Sequence, residues 1–206
     1  MNQKKLWQRK WKNDPSELPP NNFAHRAYKI AQQGKHKTLL DLGSGKGQDA
    51  LFFAKNDLSV TAVDFSDNAL QLLDKMAAIK NLKIKTIQQS IDDLHFKDSS
   101  FDIIYAHLSL HYFPDKQTTK IFNQLYKMLK KDGLLFVKCK STDDAYYGRG
   151  TEIEDDMFSF RDHKRHFFSK EYLQQKLAKF SSVQVKKTSS TYKNYKSSFV
   201  EAIAKK

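Results

Sequence analysis

Short apolar runs alternate with segments of helical periodicity along the first two thirds of the chain. Five runs predict strands, at residues 38–42, 59–64, 83–88, 101–108 and 133–140. Apolar residues spaced by three or four predict helices between them, at residues 49–56, 68–81 and 116–133. Strand–helix alternation of this kind predicts an α/β fold, a parallel sheet with helices on both faces.

Polar residues at the element ends refine this prediction. Ser66 stands where the helix after the second strand needs an N-cap, and Gly133 is expected to cap the end of the third helix. After residue 140 a polar loop should lead to a helix at about 169–180 and to strand-like runs at 182–189 and 197–204. These runs predict an antiparallel end of the same sheet. We expect one domain over 1–206, with a helical segment at 1–34, a core at 38–140 and an additional part at 141–206.

Composition excludes several classes of protein. With 39% hydrophobic and 13% aromatic residues, the 206-residue chain can bury a globular core. It has one cysteine, Cys139, no secretory-type N-terminus and no membrane-length apolar run, so we expect a cytoplasmic protein without membrane attachment. No Cys or His spacing indicates a metal site.

The net charge of +13 raises nucleic acid as a partner. However, the lysines are scattered and only five of the 36 basic residues are arginine. A solvated lysine-rich surface is therefore favoured, and no specific nucleic acid is expected.

The turn after the first strand, "DLGSGKGQD" (41–49), is the main candidate for ligand binding. A phosphate-binding loop needs Gly-x-x-x-x-Gly-Lys-Ser/Thr, which is not present. A dinucleotide fingerprint needs a third glycine at position 48, where the chain has Gln48. The observed pattern is Gly-x-Gly-x-Gly, with Asp41 two residues before the first glycine.

Four stretches in order, "LLDLGSGKGQDALFFA", "VTAVDFS", "LHFKDSSFD" and "LKKDGLLFV", resemble motifs of the Rossmann-like S-adenosylmethionine-dependent methyltransferases. The resemblance covers roughly residues 38–140 and implies a mostly parallel seven-stranded sheet with an antiparallel last strand. It also implies that S-adenosylmethionine is the cofactor.

The resemblance assigns cofactor contacts residue by residue. Asp64 should bind the ribose hydroxyls, and Ser90 or Ile91 should meet the adenine, with Asp92 or Asp93 nearby. Asp41 should orient the loop and the ammonium end, although it could be an ordinary loop-capping aspartate. The remaining expected contacts are Gly43, Ser44, Gly45, Gly47, Phe65 and Ala106.

Histidines and an arginine are the candidates for acceptor chemistry. His107 lies at the end of the fourth strand and His111 follows it, and each could be a catalytic base or a packing residue. The segments "YYGRGTEIE" and "RHFF" resemble bacterial relatives of tellurite-resistance and thiopurine methyltransferases. Arg165 and His166 could bind an anionic or chalcogen-oxyanion acceptor, or Arg165 could form ion pairs with Glu152 or Glu154.

Aromatic residues on both sides of the core predict covers for the acceptor. Trp7 and Trp11 lie four residues apart and predict a helical lid, or a helix that docks on the sheet edge. Tyr146 and Tyr147 are expected on the substrate side, in a loop over 146–166.

These patterns favour a methyltransferase that acts on a small molecule, with a thiol or a chalcogen oxyanion as candidate acceptors. An RNA or protein methyltransferase and a cofactor-binding module without catalysis remain alternatives. The protein is expected to be a monomer or a homodimer.

Overall fold

The computed structural model describes residues 3–11, 16–192 and 195–206. The helices are α1 Gln3–Trp11, α2 Asn22–Gln33, α3 Gln48–Lys55, α4 Asp67–Ile79, α5 Asp115–Met128 and α6 Lys170–Lys176. The strands are β1 Thr38–Leu42, β2 Ser59–Asp64, β3 Ile84–Gln88, β4 Phe101–His107, β5 Leu129–Lys140, β6 Thr151–Glu154, β7 Met157–Phe160, β8 His163–His166, β9 Ser182–Tyr192 and β10 Tyr195–Lys205.

The main sheet has seven strands in the order β3-β2-β1-β4-β5-β10-β9. The first five of these are parallel, and β10 is antiparallel to both of its neighbours. The predicted fold is therefore confirmed. The strand order reverses between β1 and β4, where a parallel sheet opens a crevice at its carboxyl end.

Alternating residues of the central strands supply two apolar layers. Leu39 and Ile103 belong to the layer that α2, α3 and α4 cover. Leu40 and Ile104 point to the other face, where they pack with residues of α5 and α6. Because both faces are covered, the strands are almost continuously apolar, as parallel strands usually are.

The helix caps were predicted with mixed success. Ser66 caps α4 as expected, since its Oγ accepts from the Ala69 N–H. The predicted cap at Gly133 is wrong, because α5 ends at Met128 and β5 begins directly at Leu129. Phe101 pairs with Leu129 and Ile103 with Leu134, so residues 130–133 form an irregularity within β5. Pairing with β4 thus ends the helix and starts the extended backbone of β5 four residues before Gly133.

The loop expected over 146–166 is also a wrong prediction. Residues 151–166 form a separate three-stranded sheet, β6-β7-β8. Its strands have four residues each, and β6 and β8 are mostly polar or charged, so they lack the apolar alternation that would have predicted them. Phe158 holds this sheet to the fold by packing on Tyr147 and Phe167.

Among the described residues, no helix is both long and apolar enough to cross a membrane.

Candidate functional site

A cavity of about 310 Å³ opens at the carboxyl ends of the parallel strands. Its walls come from α1, the β1–α3 turn, the end of β2, the segments after β3 and β4, and the start of α5. The lining residues are Trp7, Trp11, Gly43, Gly45, Asp64, Phe65, Ser90, Ile91, Asp92, Leu108, Ser109, Tyr112, Phe113 and Gln117.

The glycine turn forms one wall of this cavity. Gly43, Gly45 and Gly47 all have positive φ angles, of 68°, 55° and 79°. Gly43 and Gly45 line the cavity. Gly47 serves packing instead, since a Cβ there would lie 2.3 Å from Cδ1 of Leu73 on α4.

Asp64 ends β2 and joins the turn to the cavity. Its Oδ2 accepts from the Gly45 N–H at 2.9 Å, and its Oδ1 accepts from the Ser66 N–H at 2.8 Å. Burial raises the pKa of its carboxyl, and these backbone hydrogen bonds oppose the rise. Each carboxylate oxygen keeps a further acceptor site, so Asp64 can also bind hydroxyl groups of a ligand.

Two more carboxylates lie close to Asp64. Asp41 is buried in β1, and burial raises the pKa of its carboxyl, helped by the charges of Asp49 and Asp64. Asp49 accepts hydrogen bonds from Asn21 and from the Tyr105 hydroxyl. Only Asp64 of the three lines the cavity. The carboxylate of Asp64 on the cavity wall favours a cationic ligand group beside the turn.

A hydrogen-bonded trio forms another part of the cavity wall. Ser90 Oγ donates to one oxygen of Asp92, and Gln117 Nε2 donates to the other. Ile91, between Ser90 and Asp92 in the sequence, also lines the cavity. The acid that sequence reasoning placed only nearby therefore faces the cavity directly.

Helix α1 covers the cavity from above the glycine turn. A Cβ added to Gly45 would lie 3.3 Å from Cζ2 of Trp11. Trp11 stacks on Trp7 with ring centroids 6.2 Å apart. Asn68 of α4 donates to the Gln8 carbonyl, which ties the helix down. This position is the one expected of a lid, and its opening and closing stay a prediction.

The two candidate histidines, at the end of β4 and in the loop after it, both lie outside the lining of the cavity. His107 packs against Tyr105 and Phe23, and burial lowers the pKa of its ring to about 4. His111 is buried with no partner for Nδ1 among the described residues. Burial lowers the pKa of His111 strongly, and the charge of Arg165 adds to this.

Arg165 and His166 alternate on β8 and do not form a pair. His166 packs on Phe168 and Tyr172, and its Nδ1 lies 3.2 Å from the Phe113 carbonyl. Burial lowers the pKa of His166. Arg165 lies on the side of Tyr112 and His111, and its charge affects the pKa of both.

Several predicted residues lie outside the lining of the cavity. Tyr146 packs on Phe160, and the Tyr147 hydroxyl donates to Asp156. Ala106 is fully buried in β4, and Ser44 sits inside the turn with its Oγ unpaired among the described residues. Their proposed ligand contacts stay predictions.

Sequence reasoning missed Leu108, Ser109, Phe113 and Gln117 among the lining residues. Three of them belong to the loop that follows β4. The position of this loop at the carboxyl end of a central strand was the available signal.

A comparison with protein families identifies the core. The family described as "Methyltransferase domain" matches residues 39–133, which contain the glycine turn, Asp64 and the whole of β4. Residues 39–133 form a Rossmann-like methyltransferase domain. S-adenosylmethionine is the cofactor that this domain class uses.

Curated relatives resemble the methyltransferase domain over part of their length. A Geobacillus sp. (strain WCH70) protein with a methyltransferase name is 35% identical over 118 residues, which are 55% of this chain and 47% of that protein. Phosphoethanolamine N-methyltransferase 2 of Caenorhabditis elegans is 28% identical over 168 residues, covering 78% of this chain and 36% of that enzyme. The chain thus spans half or less of these relatives.

Solved structures share the fold of this chain, including most of the residues outside 39–133. A Methanosarcina mazei S-adenosylmethionine-dependent methyltransferase superposes with a TM-score of 0.73 at 22% identity, over 91% of this chain and 99% of that one. TehB from Haemophilus influenzae gives 0.68 at 18% identity, over 88% and 62%. A Burkholderia thailandensis 1,6-didemethyltoxoflavin-N1-methyltransferase, solved with bound 1,6-didemethyltoxoflavin and S-adenosylhomocysteine, gives a TM-score of 0.68 at 18% identity, over 90% of this chain and 78% of that one.

The residues of the cavity fit the cofactor of this domain. Asp64 offers free acceptor sites for ribose hydroxyls, and the Gly43–Gly45 backbone lets a ligand approach without a Cβ in the way. Asp92 offers acceptor oxygens on the wall formed with Ser90 and Gln117. The Ser109 Oγ is buried, lines the cavity and has no partner among the described residues, so a ligand would satisfy it.

Proposed function

We propose that this protein transfers the methyl group of S-adenosylmethionine to a small-molecule acceptor. The observation that carries the proposal is the position of Asp64, whose carboxylate holds the glycine turn and faces a cavity closed by Trp7 and Trp11. The relatives named for phosphoethanolamine and for 1,6-didemethyltoxoflavin act on small molecules and support this class of acceptor.

The residues of the chain would hold the cofactor along the cavity in a defined direction. Asp64 would accept from the ribose hydroxyls, and the end formed by Ser90, Asp92 and Gln117 would meet the adenine. The sulfonium would then lie near Gly43 and Ser109, at the end that leads to Tyr112. When bound, the cofactor supplies an electrophilic methyl group on a positively charged sulfur.

The chain itself would contribute orientation and exclusion of water. Trp7 and Trp11 cover the cavity, so solvent is kept from the reacting atoms once the acceptor is seated. Catalysis by His107 or His111 stays a hypothesis, because neither ring lines the cavity, although His111 adjoins Tyr112 of its wall. Burial lowers the pKa of both rings, which makes each a weaker base.

The nature of the accepting atom is a finer proposal. A thiol or a chalcogen oxyanion suits a compact pocket beside Arg165, and TehB has the same fold. Methylation of RNA or protein is the second candidate, favoured by the net charge of +13. The roof formed by α1 argues against it, since a macromolecular substrate needs an open approach to the cavity.

The test combines cofactor binding with a transfer assay. Calorimetry with S-adenosylhomocysteine should show binding that Asp64→Ala weakens. Methyl-labelled cofactor should then transfer label to at least one member of a panel of thiols, tellurite, selenite, thiopurines and bulk RNA. No cofactor binding would refute the proposal. Binding with label appearing only in RNA would favour the second candidate, and binding without transfer to any member would favour a non-catalytic module.

A further inference from the structure

Four buried side-chain polar atoms have no hydrogen-bond partner in the part of the chain that the structure describes. Within the described residues they are Ser44 Oγ, Ser109 Oγ, His111 Nδ1 and His163 Nδ1. A buried group without a partner costs roughly 1–3 kcal/mol, and native proteins keep few of them. Ser109 Oγ lines the cofactor cavity and His163 lies beside Trp7, so a ligand at either place could supply a missing hydrogen bond.

Trp7 joins two distant segments of the chain. Trp7 of α1 contacts the ring of Tyr112 and the ring of His163, each with centroids 5.8 Å apart. Tyr112 belongs to the loop after β4 and lines the cofactor cavity. His163 begins β8 in the small sheet. Trp7 therefore bridges the wall of the cofactor cavity and the first residue of β8.

Arg165 adds a positive charge to the same face. It lies two residues after His163 on β8, so both side chains project to the same side of the strand. None of the ion pairs formed by residues 3–11, 16–192 and 195–206 includes Arg165. Glu154, one expected partner, accepts instead from the Asp115 N–H.

The charge of Arg165 shifts the pKa of neighbouring polar side chains. Burial lowers the pKa of His163, and Arg165 and Lys10 lower it further while Asp162 opposes them. Burial raises the pKa of Tyr112, and Arg165 opposes that rise. A half-buried cation that no carboxylate neutralises favours an anionic ligand.

We propose that Arg165, His163 and Tyr112 form the binding site for a negatively charged group of the methyl acceptor. This inference rests on the proposed function and names its substrate class. The guanidinium offers a planar pair of donors, and the His163 ring and Tyr112 hydroxyl complete the donor set. Trp7 provides a flat apolar wall, so the fitting ligand is a compact anion, such as a carboxylate, on an apolar or aromatic body.

The assignment differs from the pair suggested by sequence. His166 projects to the opposite side of β8 and is packed among Phe168 and Tyr172. His163, which no sequence pattern indicated, takes its place beside Arg165.

Tryptophan fluorescence gives a direct test, because the two tryptophans of the chain, Trp7 and Trp11, both lie on α1. The full chain, saturated with S-adenosylhomocysteine, is titrated with benzoate, benzyl alcohol and benzylamine, which share a ring and differ in charge. Benzoate should bind at least tenfold more tightly than the alcohol, and the amine should bind weakest. Arg165→Gln should remove the preference for benzoate, and Arg165→Lys should keep part of it.

Arg161→Gln is the matched control, since Arg161 is an exposed arginine stacked on Phe160 and should leave benzoate affinity unchanged. If Arg165→Gln fails to fold, His163→Gln carries the same test with an expected loss of several-fold. Equal affinity for the three probes, or benzoate binding that both variants leave unchanged, would overturn the assignment. Failure of the wild type to bind S-adenosylhomocysteine would count against the proposed function alone, because the probe series can also be run without it.

Discussion

The backbone N–H of Gly45 donates a hydrogen bond of 2.9 Å to Oδ2 of Asp64. One carboxylate therefore shapes the glycine turn and faces the cavity that the turn borders. Loss of this side chain should weaken the cofactor site in two ways, through the direct contact and through the conformation of the turn.

Asp64→Ala is expected to weaken S-adenosylhomocysteine binding by about 1–3 kcal/mol, the range for deleting a charge-assisted hydrogen bond. Calorimetry measures the change in Kd. Asp67→Ala is the control, because Asp67 is an exposed acid three residues further along whose side chain bonds only Gln71 among the described residues. Equal affinity of Asp64→Ala and the wild type would remove Asp64 from the site.

The second and third glycines of the turn should respond differently to alanine. At Gly47 a Cβ would lie 2.3 Å from Leu73, so Gly47→Ala should lower the free energy of unfolding by about 1–3 kcal/mol through overpacking and backbone strain. At Gly45 the Cβ would meet Trp11 at 3.3 Å. Gly45→Ala should therefore displace α1 and weaken cofactor binding more than it lowers stability. Urea unfolding and calorimetry on both variants separate the two effects, and identical profiles would contradict this division.

Trp11→Ala should open the roof of the cofactor cavity. We expect S-adenosylhomocysteine to dissociate faster and its affinity to fall by about 1 kcal/mol, the scale of losing aromatic contact area. Stopped-flow displacement measures the dissociation rate, and Lys5→Ala, on the exposed side of α1, is the control. If both variants dissociate at the wild-type rate, α1 is a docked helix and not a lid.

His107 should make the stability of the protein depend on pH. Burial lowers the pKa of its folded-state ring to about 4, although Asp49 opposes this, whereas an unfolded histidine titrates near 6.5. Between these values the unfolded chain binds a proton that the folded chain does not, so stability falls as pH falls from about 6.5 to 4. The contribution of this single group amounts to about 3 kcal/mol.

His107→Gln removes this titration. Urea unfolding at pH 7 and pH 4.5 should show a smaller loss of stability in the variant than in the wild type. Parallel losses would mean that other buried histidines, such as His111, account for the pH dependence.

Local patterns predicted the parts of the fold whose cause is local. The buried strands Thr38–Leu42 and Ser59–Asp64 were predicted from apolar runs, and Ser66 was predicted from cap chemistry. The predicted end of α5 was wrong because the helix end is set by the pairing of Leu129 with Phe101, which is distant in sequence. The small sheet was predicted as a loop because it is held by aromatic packing, such as that of Phe158 on Tyr147, which sequence periodicity does not reveal.

The candidate site divides in the same way. Asp64 and Ser90 were assigned to the cofactor from the methyltransferase resemblance, and both line the cavity. Ser109 and Gln117 reach it from a loop and from a helix face that meet only in the folded chain. Arg165 was predicted from its charge, whereas its partner on β8 depended on strand alternation that the sequence did not display.

The strand order has a consequence for synthesis on the ribosome. β9 is made before β10, but β10 is the strand that separates β9 from β5. During translation β9 therefore has no correct neighbour, while the free side of β5 offers a parallel partner that it must not take. The run of serines, threonines and lysines in β9, "SVQVKKTSSTY", weakens such premature pairing through charge and low apolar content. We therefore expect the polar character of this strand to limit wrong pairing in the nascent chain.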